Sequence, residues 1–441
     1  MYLFFNNQEN QKIYLSLLLG IIPFSFIAGN MIININILLL IISSFLIFKS
    51  NLLKINYYFL DKLILIFFFL ILLTGVINDY HFYTLKLEWR SYWGTVLKSV
   101  FFLKYLLIYL ILRSLIEKKF IDLKFIFWSS FLATVFVCFD IFYQFIFGND
   151  IFGFVVTGGH LNLSGPFGDE LIAGGFLQRF SLFAFFLVPI FYSSISDKYF
   201  KFFILFLLLI FICGIILSGN RMPFLLFIFS VCLLFIFFSG IRKYFIIFVP
   251  IFLLMFFLIY NFNDSAQRKF KNFGSQLSSM TKLIIEKDFY NKSAPSYLVE
   301  FRSFYHTWQL NKYIGGGIKN FRYYCRKRAD VKLNTRIKCN MHPHNYYLEI
   351  LTETGIVGFF LLVTIFLSII IISFKNDNLF HQNKSKRVRQ IIPLLVLFFI
   401  EIFPIKSTGS FFTTGNTTYL FILMGLLVGL IRKEKLIDNK I

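Results

Sequence analysis

Phe202–Leu217 reads FFILFLLLIFICGIIL, sixteen residues without a single charge, entered through Lys198-Tyr199-Phe200-Lys201. Extended to 199–217, the run has the length at which an α-helix crosses the hydrocarbon of a bilayer. In lipid the backbone must satisfy its own hydrogen bonds, so a helix is the form such a segment takes. Comparable runs occur at about 13–29, 31–48, 63–78, 97–116, 124–147, 176–195, 222–239, 244–262, 355–374, 390–404 and 416–431, twelve in all. The chain is 58% hydrophobic and 15% charged, with 65 Phe, whereas soluble domains carry about a quarter of charged residues. No soluble core absorbs that much apolar surface. The expected fold is an all-α polytopic membrane protein of about 12 transmembrane helices, one membrane domain over residues 1–441. The first run lacks a small-residue cleavage site and reads as a retained helix.

A net charge of +22 raises the question of nucleic acid, but the placement of the charge argues against it. About half of the 44 Lys and Arg fall in alternate connections, among them Lys49/Lys54/Lys62, Lys118/Lys119/Lys124 and the tail Arg432/Lys433/Lys435. The short connections on the other side hold only Lys86, Arg90, Arg221 and Lys406. That asymmetry is the positive-inside pattern, and it puts both termini in the cytoplasm. Trp89, Tyr92 and Trp93 suit an interfacial belt.

One connection is long. Residues 263–345, between the ninth and tenth runs, form a large loop expected on the periplasmic side. It carries sixteen Lys/Arg against five acids, a net +11, which suits a docking surface for phosphorylated ligands. Within it, Leu298, Phe301, Tyr305 and Trp308 recur at spacings of three and four, so 295–312 reads as an amphipathic helix broken by Gly315-Gly316-Gly317. A second outer connection, 148–175, has no Lys or Arg and contains GPFGDELIAGG, with Asp169 and Glu170 side by side. Cys325 and Cys339 lie in the long loop, where an oxidising compartment favours a disulfide. Cys138, Cys213 and Cys232 fall in runs and read as inert thiols.

The loop ends in Cys339-Asn-Met-His342-Pro343-His344-Asn345-Tyr346-Tyr347. Pro343 bars helix at His342, and Asn345 can cap a helix that follows. This places His344 at a helix start, where the dipole disfavours imidazolium and holds a neutral base. His342 is directed away across Pro343. A capping or interfacial histidine is the bland alternative. Zinc is another, from Cys325, Cys339, His342 and His344, although the Cys-x2-His-x-His spacing is unusual for it. Arg179 lies inside the run 176–195, where a charge is costly; it serves either a site or a structural pair with Asp140 or Glu170. Lys98 and Lys104 read as snorkelling side chains, and Glu401 as a partner of Lys406.

His344-Asn345, nine residues, then Gly355-Ile356-Val357-Gly358 resembles the H-[NSQ]-x9-G-x-x-[GTY] signature of the O-antigen ligases. Ser218-Gly219-Asn220-Arg221-Met222-Pro223-Phe224-Leu225 is similar to that family's R-x3-L element. The GPFGDE…AGGFL and GGGIKNFR…C…HPHN stretches look like it too, and the likeness runs from about Gly165 to Gly358. The resemblance covers ligases and O-antigen polymerases alike and implies a GT-C-like membrane fold in a bacterial inner membrane. It implies a glycosyltransferase that moves a glycan from undecaprenyl diphosphate to a sugar hydroxyl, either of lipid A-core or of a growing glycan. In that reading His344 is the catalytic base at the periplasmic face and Arg221 and Arg302 bind the diphosphate; Arg179, Asn345 and Glu170 are candidates to support them from their own placement in the sequence. No cofactor, metal or nucleic acid is implied; the partners are the lipid-linked donor, the acceptor and membrane lipid. A polysaccharide-lipid transporter is the rival, but no related halves with broken helices are evident.

Overall fold

The computed structural model describes residues 7–84, 94–155, 162–191, 198–237, 239–286, 294–328, 337–340, 343–374, 388–407 and 409–438. Lys86, Trp89, Arg90, Tyr92, Trp93 and His342 lie outside the described residues. The protein is all-helical, with no strand among the described residues. Every one of the twelve apolar runs coincides with a helix: α1 Gln8–Ala28, α2 Asn30–Phe48, α3 Phe59–Thr84, α4 Gly94–Glu117, α5 Lys124–Phe147, α6 Ala173–Phe191, α7 Lys198–Leu217, α8 Arg221–Phe237, α9 Ser239–Phe262, α13 Tyr346–Phe374, α14 Val388–Glu401 and α15 Thr414–Asp438. The long loop contributes α10 Asp264–Ile285, α11 Ser296–Trp308 and α12 Phe321–Lys327. Seven of the described helices are long and apolar enough to cross a membrane.

The distribution of apolar side chains is that of a membrane protein. Leu46, Phe69, Phe101 and Ile246 stand exposed on the outside of the bundle, where only lipid accommodates them. The centre is α15, whose residues Thr417–Ile431 are all buried, as a helix apolar on every side requires. It packs against α4, which in turn meets α3 and α2; α5 and α6 pair on the other flank, and α14 bridges α6, α8 and α15. Chain direction alternates, so the starts of α4, α6, α8, α13 and α15 share one end with the long loop. That end is called the loop end below.

Two boundaries differ from the sequence reading. The tenth run was expected to start at Gly355, but α13 starts at Tyr346 and Gly355 is a break inside it, with φ 68° and ψ −172°. Polar residues Glu349, Thr352, Glu353 and Thr354 hide that extra stretch from a hydropathy window, and the protein buries them instead. The loop also holds more helix than the single amphipathic segment read from its spacing. α10 follows α9 through a bend of 100°. The expected helix 295–312 appears as α11 and a 3₁₀ turn, Gln309–Asn311.

Candidate functional site

The turn between α7 and α8 builds one side of the loop end. Gly219 takes the left-handed region, φ 69°, and Asn220 Nδ2 donates to the carbonyl of Ser218 at 2.9 Å, closing the turn so that Arg221 opens α8. α10 folds back over this turn. A Cβ on Gly219 would collide with Nζ of Lys269 and fall 2.8 Å from Oδ1 of Asn162. Arg221 Nη1 lies 3.4 Å from Gln276 Oε1, and its guanidinium carbon is 5.8 Å from the Phe273 ring centroid. Burial, and after it the neighbouring Arg221, lowers the ammonium of Lys269 to about 8. Among the described residues no acid lies within ion-pair distance of Arg221 or Lys269. Two cations held together without an acid repel each other, and an anion placed between them relieves that repulsion.

His344 faces this end from the start of α13. Its backbone is left-handed, φ 55°, an uncommon conformation for a residue with a side chain and one concentrated at functional sites. Asn345 caps α13 as expected: its Oδ1 accepts the N–H groups of Tyr347 (3.0 Å) and Leu348 (3.1 Å). The same side chain donates through Nδ2 to the carbonyl of Pro404 at 2.7 Å. Tyr346 and Tyr347 donate to Glu401 Oε1 and to the carbonyl of Ile402, each at 2.5 Å. The turn 401–406 therefore holds three consecutive residues, Asn345–Tyr347, directly after His344.

Arg179 belongs to that support. It pairs with neither Asp140 nor Glu170. Its partner is Glu401, contacted by Nη2 at 2.8 Å and Nε at 3.1 Å, with Asn416 Oδ1 at 2.7 Å and the Tyr419 ring centroid at 5.0 Å. Packing explains the correction. α14 lies against α6 and delivers Glu401 to it, Asp140 is engaged by the N–H of Ile151, and Glu170 is exposed. Lys406 also bonds Glu401, at 2.6 Å, the pair read from the sequence. In α6, Gly174 packs on Ser218 and Asn220, a turn and a half from Arg179. Through α6 the cradle of His344 and the turn of Arg221 thus share one rigid support.

The loop supplies the third side. Cys325 and Cys339 are joined in a disulfide, Cα–Cα 5.6 Å. Around it Phe304 stacks on Phe321, Arg328 Nη1 donates to the carbonyl of Ser303 (2.9 Å), and Asn340 Nδ2 donates to Glu300 Oε1 (2.9 Å). Residues 337–340, which lead to His344, are thereby tied to α11, where half-buried Arg302 stands beside Ser303. Among the described residues no cluster of three His, Cys, Asp or Glu suited to a metal is present.

The Gly355 of the signature has a physical reason. At the break in α13 the N–H groups of Gly316 and Gly317 donate to the carbonyls of Thr352 (2.9 Å) and Glu353 (2.8 Å). In return the N–H groups of Ile356 and Val357 donate to the carbonyls of Lys312 (2.9 Å) and Tyr313 (3.3 Å). Two helical bonds are exchanged for four between segments, and the left-handed Gly355 leaves no room for a Cβ against the Tyr313 backbone. Lys269 and Gln276 escaped the sequence reading. They share the face of an amphipathic helix with Phe270 and Phe273, a pattern that was available in 264–285.

Residues 206–363 match the family model described as O-antigen ligase. The matched range holds Arg221, Lys269, Arg302, both bridging cysteines and the whole stretch from His344 to Gly358. It supports the O-antigen ligase superfamily, in agreement with the resemblance read from the sequence. No curated protein matches the chain.

Proposed function

We propose that this protein of the O-antigen ligase superfamily transfers a glycan from undecaprenyl diphosphate to a sugar hydroxyl of lipid A-core. His344 removes the proton of the acceptor hydroxyl, whose oxygen attacks the anomeric carbon of the donor. The bond from that carbon to the diphosphate breaks, and the leaving undecaprenyl diphosphate takes the electron pair. Arg221, Lys269 and Arg302 stabilise the charge that develops on it. Those cations supply what a metal ion supplies in other phosphate chemistry, so the step is written without one. The observation that carries the reading is the acid-free pair Arg221 and Lys269, set at the same end as a histidine in a constrained backbone. Polymerisation onto a growing glycan uses the same chemistry and differs in its acceptor.

The test is transfer by purified protein in nanodiscs. His344→Ala is expected to lower the rate by about 10²–10⁴-fold, the usual effect of losing a general base, with expression unchanged. Arg302→Lys is expected to impair transfer as well, since an ammonium does not reproduce a guanidinium fork. Full activity of His344→Ala sinks the mechanism and leaves a transporter as the better reading. In a deletion strain, unlinked long polymer marks a ligase and single-unit caps mark a polymerase.

The loop end is read as periplasmic in a bacterial inner membrane, with both termini cytoplasmic, on the strength of the Lys/Arg asymmetry. A cysteine at exposed Ser279 is expected to react with an impermeant thiol reagent in intact spheroplasts. Reaction only after permeabilisation reverses the topology.

A further inference from the structure

A second group of cations lies around the start of α4, apart from the turn of Arg221. The segment 315–320 rests on the first turn of α4: Asn320 Nδ2 donates to Thr95 Oγ1 at 3.1 Å, and a Cβ on Gly317 would come 2.5 Å from Thr95 Cγ2. Lys319 leaves this segment exposed, with a left-handed backbone (φ 57°) fixed by its N–H bond to Glu353 Oε2 at 2.7 Å. Lys98 follows on the next turn of α4, and it and Lys319 both act electrostatically on Glu353. Deeper in the same helix, Lys104 meets Asn34 of α2 at 2.5 Å and is close enough to Lys319 for the two ammonium groups to repel. A cation that deep in a membrane-spanning helix is costly, and Asn34 is neutral. Neither Lys104 nor Lys319 has an acid within ion-pair distance among the described residues. One further group is unused: Oε1 of Glu353, whose side chain is buried, has no hydrogen-bond partner.

We propose that Lys98, Lys104 and Lys319, with Asn34 and Glu353, form a second binding site that takes the acceptor as an anionic glycolipid. The amines hold its phosphate or carboxylate, and the free carboxylate oxygen accepts a sugar hydroxyl. This rests on the transferase reading and adds to it where, and by which residues, the acceptor is held. The arrangement suits two substrates. α8 with Arg221 packs on α6, α7, α9 and α14, whereas α4 packs on α2, α3 and α15. α13, which His344 precedes, lies between the two groups, in contact with α3, α14 and α15. A base so placed has a cationic site on either hand, one for each reactant.

The test follows acylation of Lys319 by a membrane-permeant amine reagent, quantified by mass spectrometry on the full chain in nanodiscs. Exposed Lys282 is the internal reference. Sodium phosphate, compared with sodium chloride at equal ionic strength, is expected to slow Lys319 at least about threefold if a soluble phosphoryl group suffices. Phosphatidylglycerol nanodiscs, compared with phosphatidylcholine, are expected to do so if a lipid headgroup is needed. The protection is expected to vanish in Lys104→Met and to survive in Lys104→Arg and in Arg221→Lys. Unchanged Lys319 reactivity with both probes overturns the site, as does equal protection in Lys104→Met. Protection that persists while Arg221→Lys transfers at the full rate refutes the donor assignment and leaves this site standing.

Discussion

The two ends of α3 and α4 treat charge in opposite ways. Away from the loop, Arg113 is fully buried yet paired with Asp61 and Glu117, and it donates to the carbonyl of Asn56 at 2.7 Å. Tyr109 donates to the same Asp61 at 2.7 Å, and Ser114 closes the corner on the carbonyl of Leu52. At the loop end Asp79 is spent on the N–H groups of Thr95 and Val96, while Arg221, Lys269 and Lys104 have no acid within ion-pair distance among the described residues. Taking a charge out of water costs several kcal/mol, and a partner of opposite sign repays part of it. Where the protein supplies the partner, the charge holds helices together. Where it supplies none, the partner comes from outside. Arg179 shows that position alone does not decide this, because it lies at the loop end and is matched by Glu401.

Breaking the matched end gives the largest effect. Arg113→Met leaves Asp61 buried and uncompensated, a loss of about 3–5 kcal/mol, seen as a lower unfolding temperature in nanodiscs. The double variant with Asp61→Leu is expected to recover most of it, and failure to recover denies that the pair is structural. The next effect is smaller and local. Gly355→Ala forces a side chain into a left-handed backbone against Tyr313, at a cost of about 1–3 kcal/mol. The amides of Gly316 and Gly317 are expected to exchange at least about tenfold faster, and unchanged exchange removes the backbone interlock as the fastening of this end. The smallest effect tests the unmatched cations themselves. Lys269 is charged below about 8 and loses its proton as the pH rises through that value. Affinity for inorganic pyrophosphate is expected to fall about tenfold between neutral and alkaline pH, the loss of one charge-assisted hydrogen bond. Lys269→Arg is expected to flatten the profile, and a wild-type profile already flat separates Lys269 from the anion site.

Much of this was open to a reader of the chain. The apolar runs met helices because such segments are contiguous and local in sequence, and lipid leaves them only one backbone solution. The cap at Asn345 was legible for the same reason, since its hydrogen bonds reach only two and three residues ahead. The resemblance to the ligase signature marked Gly355 as special without saying why. What tertiary structure alone decided were the pairings across distance. Arg179 reached Glu401 rather than Asp140 because α14, not α5, presents a carboxylate at its level. Lys269 came to lie over Gly219 because a bent helix in the loop folds back on the turn before α8. The Gly315–Gly317 segment found the break in α13 because each held the backbone groups the other lacked. Hydropathy records what each residue prefers as surroundings; which residue meets which is set by how the helices pack, and that has no local signature.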